Sequence, residues 1–280
     1  MVVITRDRRS EVVDCVARLQ ALPEHPPIIV VDNDSSDGTA DTVEGLYPSV
    51  DVVRLERNLG AAGRTIGARR ATTPYVAFSD DDSWWAAGAL ERAADTLDRA
   101  PRLAVLAARV LVGPDGHLDP VCRSMRSSPL GDVPEVGPRV LGFVACGAVV
   151  RRSAYLEVGG FHPRYGVGGE EALLALDLAE RRWDCAYADD VVAHHCPSPV
   201  RDRSARRVRD LRNDMWTLWL RRPLASALPE TARVLARLFH EREVRAALRQ
   251  ALAGVHWIVR ERAPVRPATE RALRRLEETP

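Results

Sequence analysis

Apolar residues arrive along the first two hundred positions in two alternating rhythms. The β-branched run Val2–Thr5 and the segments 50–54 and 75–79 predict strands, and 28–31 is a continuous apolar strand of the kind buried on both faces. Between them, apolar residues recur at helical spacing. Val12, Val16 and Leu19 mark a helix over 11–20, with Ser10 as its N-cap. A short helix follows from Thr39, after the polar loop 32–38. Residues 60–70 form a helix behind the loop RNLG, and Leu90, Ala93, Ala94 and Leu97 mark another. This strand–helix rhythm predicts an open parallel sheet covered by helices. Ligands of such sheets sit at the carboxyl ends of the strands.

The pattern then loosens. Leu103–Val112 predicts a strand, followed by a turn at 113–116. Residues 117–139 are rich in Pro, Ser and Gly, carry no periodicity, and predict a long functional or mobile loop. Residues 140–150 are apolar enough for one buried strand. The segment GGFHPRYGVGGEE turns into a helix over 171–182, and short strands at 184–187 and 191–194 close the unit. Beyond residue 200 the pattern is helical throughout. Val208, Leu211, Met215, Leu218 and Trp219 form one apolar stripe; Val244, Leu248, Ala251, Leu252 and Val255 form another, with Pro223, Pro229 and Pro264 between and after them. The expectation is an α/β domain over 1–200 and a helical extension over 201–280.

Composition sharpens that division. The chain has 280 residues, 46% of them hydrophobic, enough for a sizeable core. All 40 basic residues are Arg, and the net charge of +1 argues against a dedicated nucleic-acid binder. The charge is uneven: 201–280 hold 19 Arg against 10 acids, whereas 1–200 hold 21 Arg against 29 acids. Five cysteines without a CxxC do not form a disulfide framework or a zinc ribbon, so reduced thiols in a cytoplasm are expected. MVVIT runs straight into RDRRSE, too short for a signal sequence, and no apolar run approaches the roughly 18 residues of a membrane span.

The strongest chemical feature is Asp80-Asp81-Asp82 at the end of an apolar strand. Three adjacent carboxylates repel one another unless a cation relieves them, and a hard divalent ion with oxygen ligands does so. His194 and His195 follow a later strand; adjacent strand residues point to opposite faces, so one of them at most reaches a shared metal. Residues 201–222 carry 8 Arg and 3 Asp around Trp216 and Trp219. Two readings stand for this stretch: a helix packed on the acidic domain, or a peripheral contact with anionic lipid at the inner membrane face.

Five motifs, VVDNDSSDGT, RNLGAAGR, VAFSDDD, CGAVVRRSAYLEVGGF and GGEEALLALDLAERRW, occur in the order seen in family 2 glycosyltransferases with the GT-A fold. The chain resembles that family over about residues 2–200. The resemblance implies transfer of a sugar from a nucleotide-diphosphate donor, with inversion, to an acceptor hydroxyl on a small molecule, glycan or lipid-linked sugar. It implies an Asp-x-Asp motif at Asp80 and Asp82, with Asp81 between them, that contacts the donor and holds Mg²⁺ or Mn²⁺ against the diphosphate. His195, or His194, would add a metal contact. Arg64 would reach the phosphates from the first turn of its helix. Asp32 would bind the nucleobase, with Thr5 and Asp7 lining the same pocket; the family often has Thr-Tyr-Asn where this chain has Thr5-Arg6-Asp7. A local loop-capping turn is the other reading of Asp32.

The same resemblance places the general base in the acidic pair Glu170-Glu171, at its second member. The family commonly has Asp there. An ordinary Glu, with a pKa of about 4.3, is ionised at working pH, and a helix N-terminus favours that form. Two rivals remain: a non-catalytic relative that keeps the donor pocket, and a sugar-phosphate nucleotidyltransferase. The latter needs a glycine-rich phosphate loop after strand one, and TRDRRSE has no glycine.

Overall fold

The computed structural model describes residues 1–197 and 203–278; the expected division between 200 and 201 lies outside the described residues. The first half is as the pattern predicts. Strands β1 (Val2–Thr5), β2 (Ile29–Asp32), β3 (Asp51–Arg54) and β4 (Tyr75–Asp80) pair in parallel in the order β3-β2-β1-β4. Helices α1 (Arg9–Gln20), α2 (Thr39–Leu46) and α3 (Gly63–Arg70) connect them. Every residue of β1 and β2 is buried, which is why each reads as an unbroken apolar run rather than an alternation. Edge strand β3 is partly exposed and carries Asp51 and Arg54, charges that discourage edge-to-edge pairing.

The second half departs from an all-parallel sheet. It comprises β5 (Ser83–Trp85), α4 (Ala89–Arg99), β6 (Leu103–Val112), β7 (His117–Leu118), α5 (Pro120–Arg126), β8 (Asp132–Val133), β9 (Gly137–Pro138), β10 (Ala148–Arg151), α6 (Arg152–Glu157), α7 (Glu170–Glu180) and β11 (Asp184–His195). Strand β10 inserts antiparallel between β4 and β6, β11 runs parallel to β6, and β5 pairs antiparallel with β11 at the far edge.

Three expectations are corrected here. Residues 117–139 are not one loop: α5 is capped by Asp119, whose carboxylate accepts from Val121 N at 2.7 Å, and β8 pairs with β9. Seven helical residues are too few to display a period, but Cys122 and Met125 turn inward and are buried. Residues 140–150 are not one strand, because a 3₁₀ turn at Ala145–Gly147 precedes β10. The two strands expected at 184–187 and 191–194 are one, β11, interrupted by a register shift between Ala188 and Val192 that lets the exposed Asp189 and Asp190 bulge outward.

The extension forms α8 (Arg203–Arg221), α9 (Leu224–Ala236), α10 (Arg242–Ala253), α11 (Val255–Glu261) and α12 (Pro267–Glu278). It packs on the α/β unit through a second core in which Tyr165 and Leu173 meet Met215, Trp216, Leu220, Ala247 and Trp257. Polar ties reinforce the seam. Arg221 holds both carboxylate oxygens of Asp177 (2.5 and 3.1 Å), and Arg266 donates to Glu180 at 3.1 Å. Of the expected apolar stripe, Met215 is buried and Val208, Leu211 and Trp219 pack half-buried against this second core, beside the buried Trp216 and Leu220.

Candidate active site

Residues from four elements converge beyond the carboxyl end of β4. Asp80 closes β4, and Asp81 and Asp82 lie in the tight connection to β5. Both of the latter are buried. The Thr5 hydroxyl donates to Asp81 Oδ2 at 2.9 Å. Arg8 bridges the pair, with Nε 3.1 Å from Asp81 Oδ1 and Nη2 3.1 Å from Asp82 Oδ2. Burial pushes the Asp81 carboxyl up to about 7, even with the Arg8 guanidinium opposing it.

His195, at the end of β11, stands with Nε2 3.3 Å from Asp82 Oδ1. His194 points to the other face and stacks on Trp84 with ring centroids 5.5 Å apart. The strand alternation thus selects His195 for the acidic cluster, as its period requires. His195 Nε2 is buried and has no hydrogen-bond partner among the described residues. A ring nitrogen, Asp80 and a thiol not anticipated from the sequence, Cys146 Sγ, offer ligand atoms all within 4.8 Å of one another. This donor set fits a divalent cation.

Arg64 stands in the first turn of α3, as expected, and its side chain is turned inward, 1% exposed. The guanidinium lies between two carboxylates, bonded to Asp80 Oδ1 and 3.9 Å from Glu170 Oε1, over the ring of Phe161. The loop before α3 touches the loop before α7 directly. Ala61 N donates to Gly166 O at 2.9 Å, and a Cβ at Gly60, where φ is +57°, would come within 2.7 Å of the Gly166 backbone. Only glycine allows that approach.

The acidic pair at the start of α7 splits as helical geometry demands. Glu170 is turned inward, 2% exposed, and accepts from Gly168 N. Burial, with the neighbouring Glu171, pushes its carboxyl up to about 8. Glu171 accepts from Ala145 N at 3.3 Å and opens onto a cleft of about 320 Å³ lined by Met125, Gly142, Phe143 and Leu276. Burial raises Glu171 as well. This corrects the expectation of an ordinary Glu: loss of solvent outweighs the helix N-terminus and the Ala145 amide.

The residues assigned to the nucleobase are largely engaged with one another. Asp32 Oδ1 accepts from Ser35 N (3.0 Å) and Ser35 Oγ (2.5 Å), the local turn that was its other reading. Asp7, at φ +49°, accepts from Ser36 N at 2.7 Å, while its own N–H donates to Ser35 Oγ at 2.9 Å. The loops after β1 and β2 are thereby stitched together, and Thr5 faces Asp81 instead. Arg8 and Cys146 join the acidic cluster without having been expected there. Arg8 was in view within TRDRRSE, three residues past Thr5; Cys146 carried no signal beyond its place in CGAVV.

The model of the glycosyl transferase family 2 matches residues 1–159. The chain belongs to this family. As a glycosyltransferase it is 27% identical, over 85% of its length, to the N-acetylglucosaminyl-diphospho-decaprenol L-rhamnosyltransferase of Mycobacterium tuberculosis, 91% of which is covered. Among solved structures, the mannosyltransferase PcManGT from Pyrobaculum calidifontis, in complex with GDP-Man and Mn²⁺, superposes with a TM-score of 0.62 at 20% identity. The match covers 90% of this chain and 74% of that one. S. aureus TarS in complex with UDP-GlcNAc gives 0.58 at 17% identity, covering 78% and 65%. These likenesses show that the glycosyltransferase has a GT-A-like fold with a helical C-terminal region.

Proposed function

We propose that the enzyme is a metal-dependent, inverting glycosyltransferase that moves a deoxyhexose from a nucleoside-diphosphate donor to a sugar hydroxyl on a polyprenyl-diphosphate carrier. The observation that carries this reading is the division of the acids. Asp80, Asp82 and His195 cluster at one end of the sheet, while Glu171 opens onto a separate cleft and Arg64 lies between. This arrangement supports a donor site and an acceptor site lying side by side. The choice of sugar and carrier rests on the M. tuberculosis relative, which is matched over most of both chains.

Asp80, Asp82 and His195 would hold Mg²⁺ or Mn²⁺. A bound divalent cation supplies Lewis-acid neutralisation of the charge that develops on the departing diphosphate. The protein's own residues do the rest. Glu171 takes the acceptor proton as the hydroxyl attacks the anomeric carbon from the face opposite the diphosphate. Glu170 and Asp80 fix Arg64, whose positive charge faces the donor side. Asp32, Asp7 and Thr5 hold the loops that border the nucleobase.

Membrane contact is proposed at a different surface from 201–222, where Met215, Trp216 and Leu220 are buried and Val208, Leu211 and Trp219 pack against the second core. Among the described residues, no helix is long and apolar enough to cross a membrane. Helix α9 instead exposes Leu224, Leu228 and Leu235, which fall within about 40° of one another at 3.6 residues per turn. Such a face, on an extension with an excess of Arg, suits a helix lying in an anionic interface near a lipid-linked acceptor.

The test is a thermal-shift screen with UDP-, GDP- and dTDP-sugars, each with and without Mn²⁺. A ligand bound only by the native state raises the melting temperature. The expected result is a rise with one of these nucleotide sugars that requires the cation. No rise with any nucleotide sugar would overturn the reading.

A further inference from the structure

Three of the four buried cysteines are accounted for by packing or by backbone contacts. Cys15 donates to Ser83 O at 3.2 Å, Cys122 donates to Ala108 O at 3.5 Å, and Cys185 lies in the main core. Cys146 differs. Among the described residues its thiol makes no hydrogen bond; it sits on the 3₁₀ turn before β10 and belongs to the cluster with Asp80 and His195. The ladder explains the placement. With Val149 opposite Ala77 in the antiparallel pair, stepping back along β10 and forward along β4 brings residue 146 to the level of Asp80.

We propose that Cys146 is a protein ligand of the divalent cation held by Asp80 and His195, and that its sulfur extends the site's preference toward softer cations such as Co²⁺, Zn²⁺ and Cd²⁺. The proposal rests on the metal-dependent reading above. Sulfur and imidazole ligands favour these ions, whereas Mg²⁺ keeps oxygen ligands and gives up water reluctantly. With Asp80, Asp82 and His195, Cys146 makes four protein donors, which leaves positions of a six-coordinate cation open, as a site that must also admit phosphate oxygens requires. Coordination replaces the S–H bond with an S–metal bond, and the proton leaves to solvent. The turn is well suited to this duty. Glu171 is anchored on Ala145 N, one residue away, so the metal and the acceptor-side carboxylate are referred to the same short piece of backbone.

The test is a Co²⁺ titration of the full chain followed by absorption, with Cys146→Ser and Cys146→Ala as variants and Cys196→Ser as a control at the exposed cysteine. Cobalt in the site gives visible d–d bands, and a thiolate ligand adds a near-ultraviolet charge-transfer band. The expected result is both signals in the wild type and in Cys196→Ser. The Cys146 variants should keep the d–d bands and lose the charge-transfer band. Their Cd²⁺ affinity should fall relative to their Mn²⁺ affinity. Bound cobalt without charge transfer in the wild type overturns the ligand assignment and leaves the metal reading standing. A charge-transfer band that survives in both Cys146 variants also overturns it. No cobalt binding by the wild type overturns both. Circular dichroism and melting of Cys146→Ala establish that the loss is not unfolding.

Discussion

The side-chain amide of Asn213, in the middle of α8, donates to the carbonyl of Gly168 at 2.5 Å, two residues before Glu170. The same amide reaches Tyr165 O at 3.0 Å, and Asn213 is fully buried. The extension therefore clamps the loop from which the acidic pair springs. Replacement of Asn213 by Ala strips the Gly168 carbonyl of this donor, whereas Tyr165 O keeps a bond from Arg212. A buried polar group left unpaired costs about 1–3 kcal/mol. Asn213→Ala should lower the melting temperature by scanning calorimetry and reduce turnover more than donor affinity. An unchanged melting point would show that the clamp carries no weight.

Donor binding should depend on Asp82. Asp82→Ala is expected to abolish the Mn²⁺ requirement together with most nucleoside-diphosphate affinity, because it removes the carboxylate beside His195. Isothermal titration of the variant with donor nucleotide, with and without Mn²⁺, measures both quantities. Wild-type binding in the variant would move the metal elsewhere.

Catalysis should separate the two glutamates. Glu171→Gln should leave donor binding intact while turnover falls about 10²–10⁴-fold, the range for loss of a general base. Glu170→Gln should be milder. Because burial raises Glu171, the acid limb of kcat/KM in the wild type should fall above the ordinary carboxylate range and disappear in Glu171→Gln. Initial rates across pH decide this, and a larger loss in Glu170→Gln would reverse the assignment.

Stability should decline with rising pH through the buried acids. Glu170, raised from 4.5 to about 8, and Asp81, raised from 3.8 to about 7, bind their protons more tightly in the folded chain than in the unfolded one. Their contribution is fully present below the unfolded pKa values and is lost as pH climbs through the folded ones. Melting temperature should therefore slope downward between about pH 4 and 8. Glu170→Gln, which keeps an acceptor for Gly168 N, should flatten part of that slope and leave the share due to Asp81. An equal slope in the variant would place the burdened proton on another group.

Binding to anionic vesicles should follow α9. Leu228→Glu places a charge in the exposed stripe and should reduce co-sedimentation with anionic liposomes at low salt. Substitution of Trp216, which is buried, would act only by unfolding. Equal binding by Leu228→Glu and wild type would dismiss this surface.

The first half of the fold was legible because its inner strands are buried, so burial and sequence coincide: Val2–Thr5 is β-branched throughout and buried throughout. Asp80-Asp81-Asp82 was legible for the related reason that three acids after such a run have few structural uses. The second half was not. Antiparallel insertion of β10 is decided by pairing across the sheet, which leaves no period in four residues. The bulge in β11 interrupts one strand with Asp189-Asp190, a pair that reads as a turn. Within the site, side-chain type was readable and direction was not. Arg64 carries the same guanidinium whether it is exposed at a helix end or buried against Asp80. The burial that raises Glu171 comes from walls supplied by segments as distant in sequence as Met125 and Leu276.

The reversal of β10 has a consequence for how the site can be altered. A sheet of parallel strands addresses its ligand only with segments that leave the strands. A reversed strand delivers its approach instead, so the turn at Ala145–Gly147 reaches the site before the chain enters the sheet. Its position is set by the ladder downstream, not by what lies upstream. The exposed positions within 121–135 can therefore change around the buried Cys122, Met125 and Val133, while Cys146 and the Ala145 amide stay at fixed heights against Asp80 and Glu171. For engineering under the proposed reading, this separates two tasks: the cleft in front of Glu171 is open to substitution on one side of the turn, and the groups proposed to hold the cation are fixed on the other.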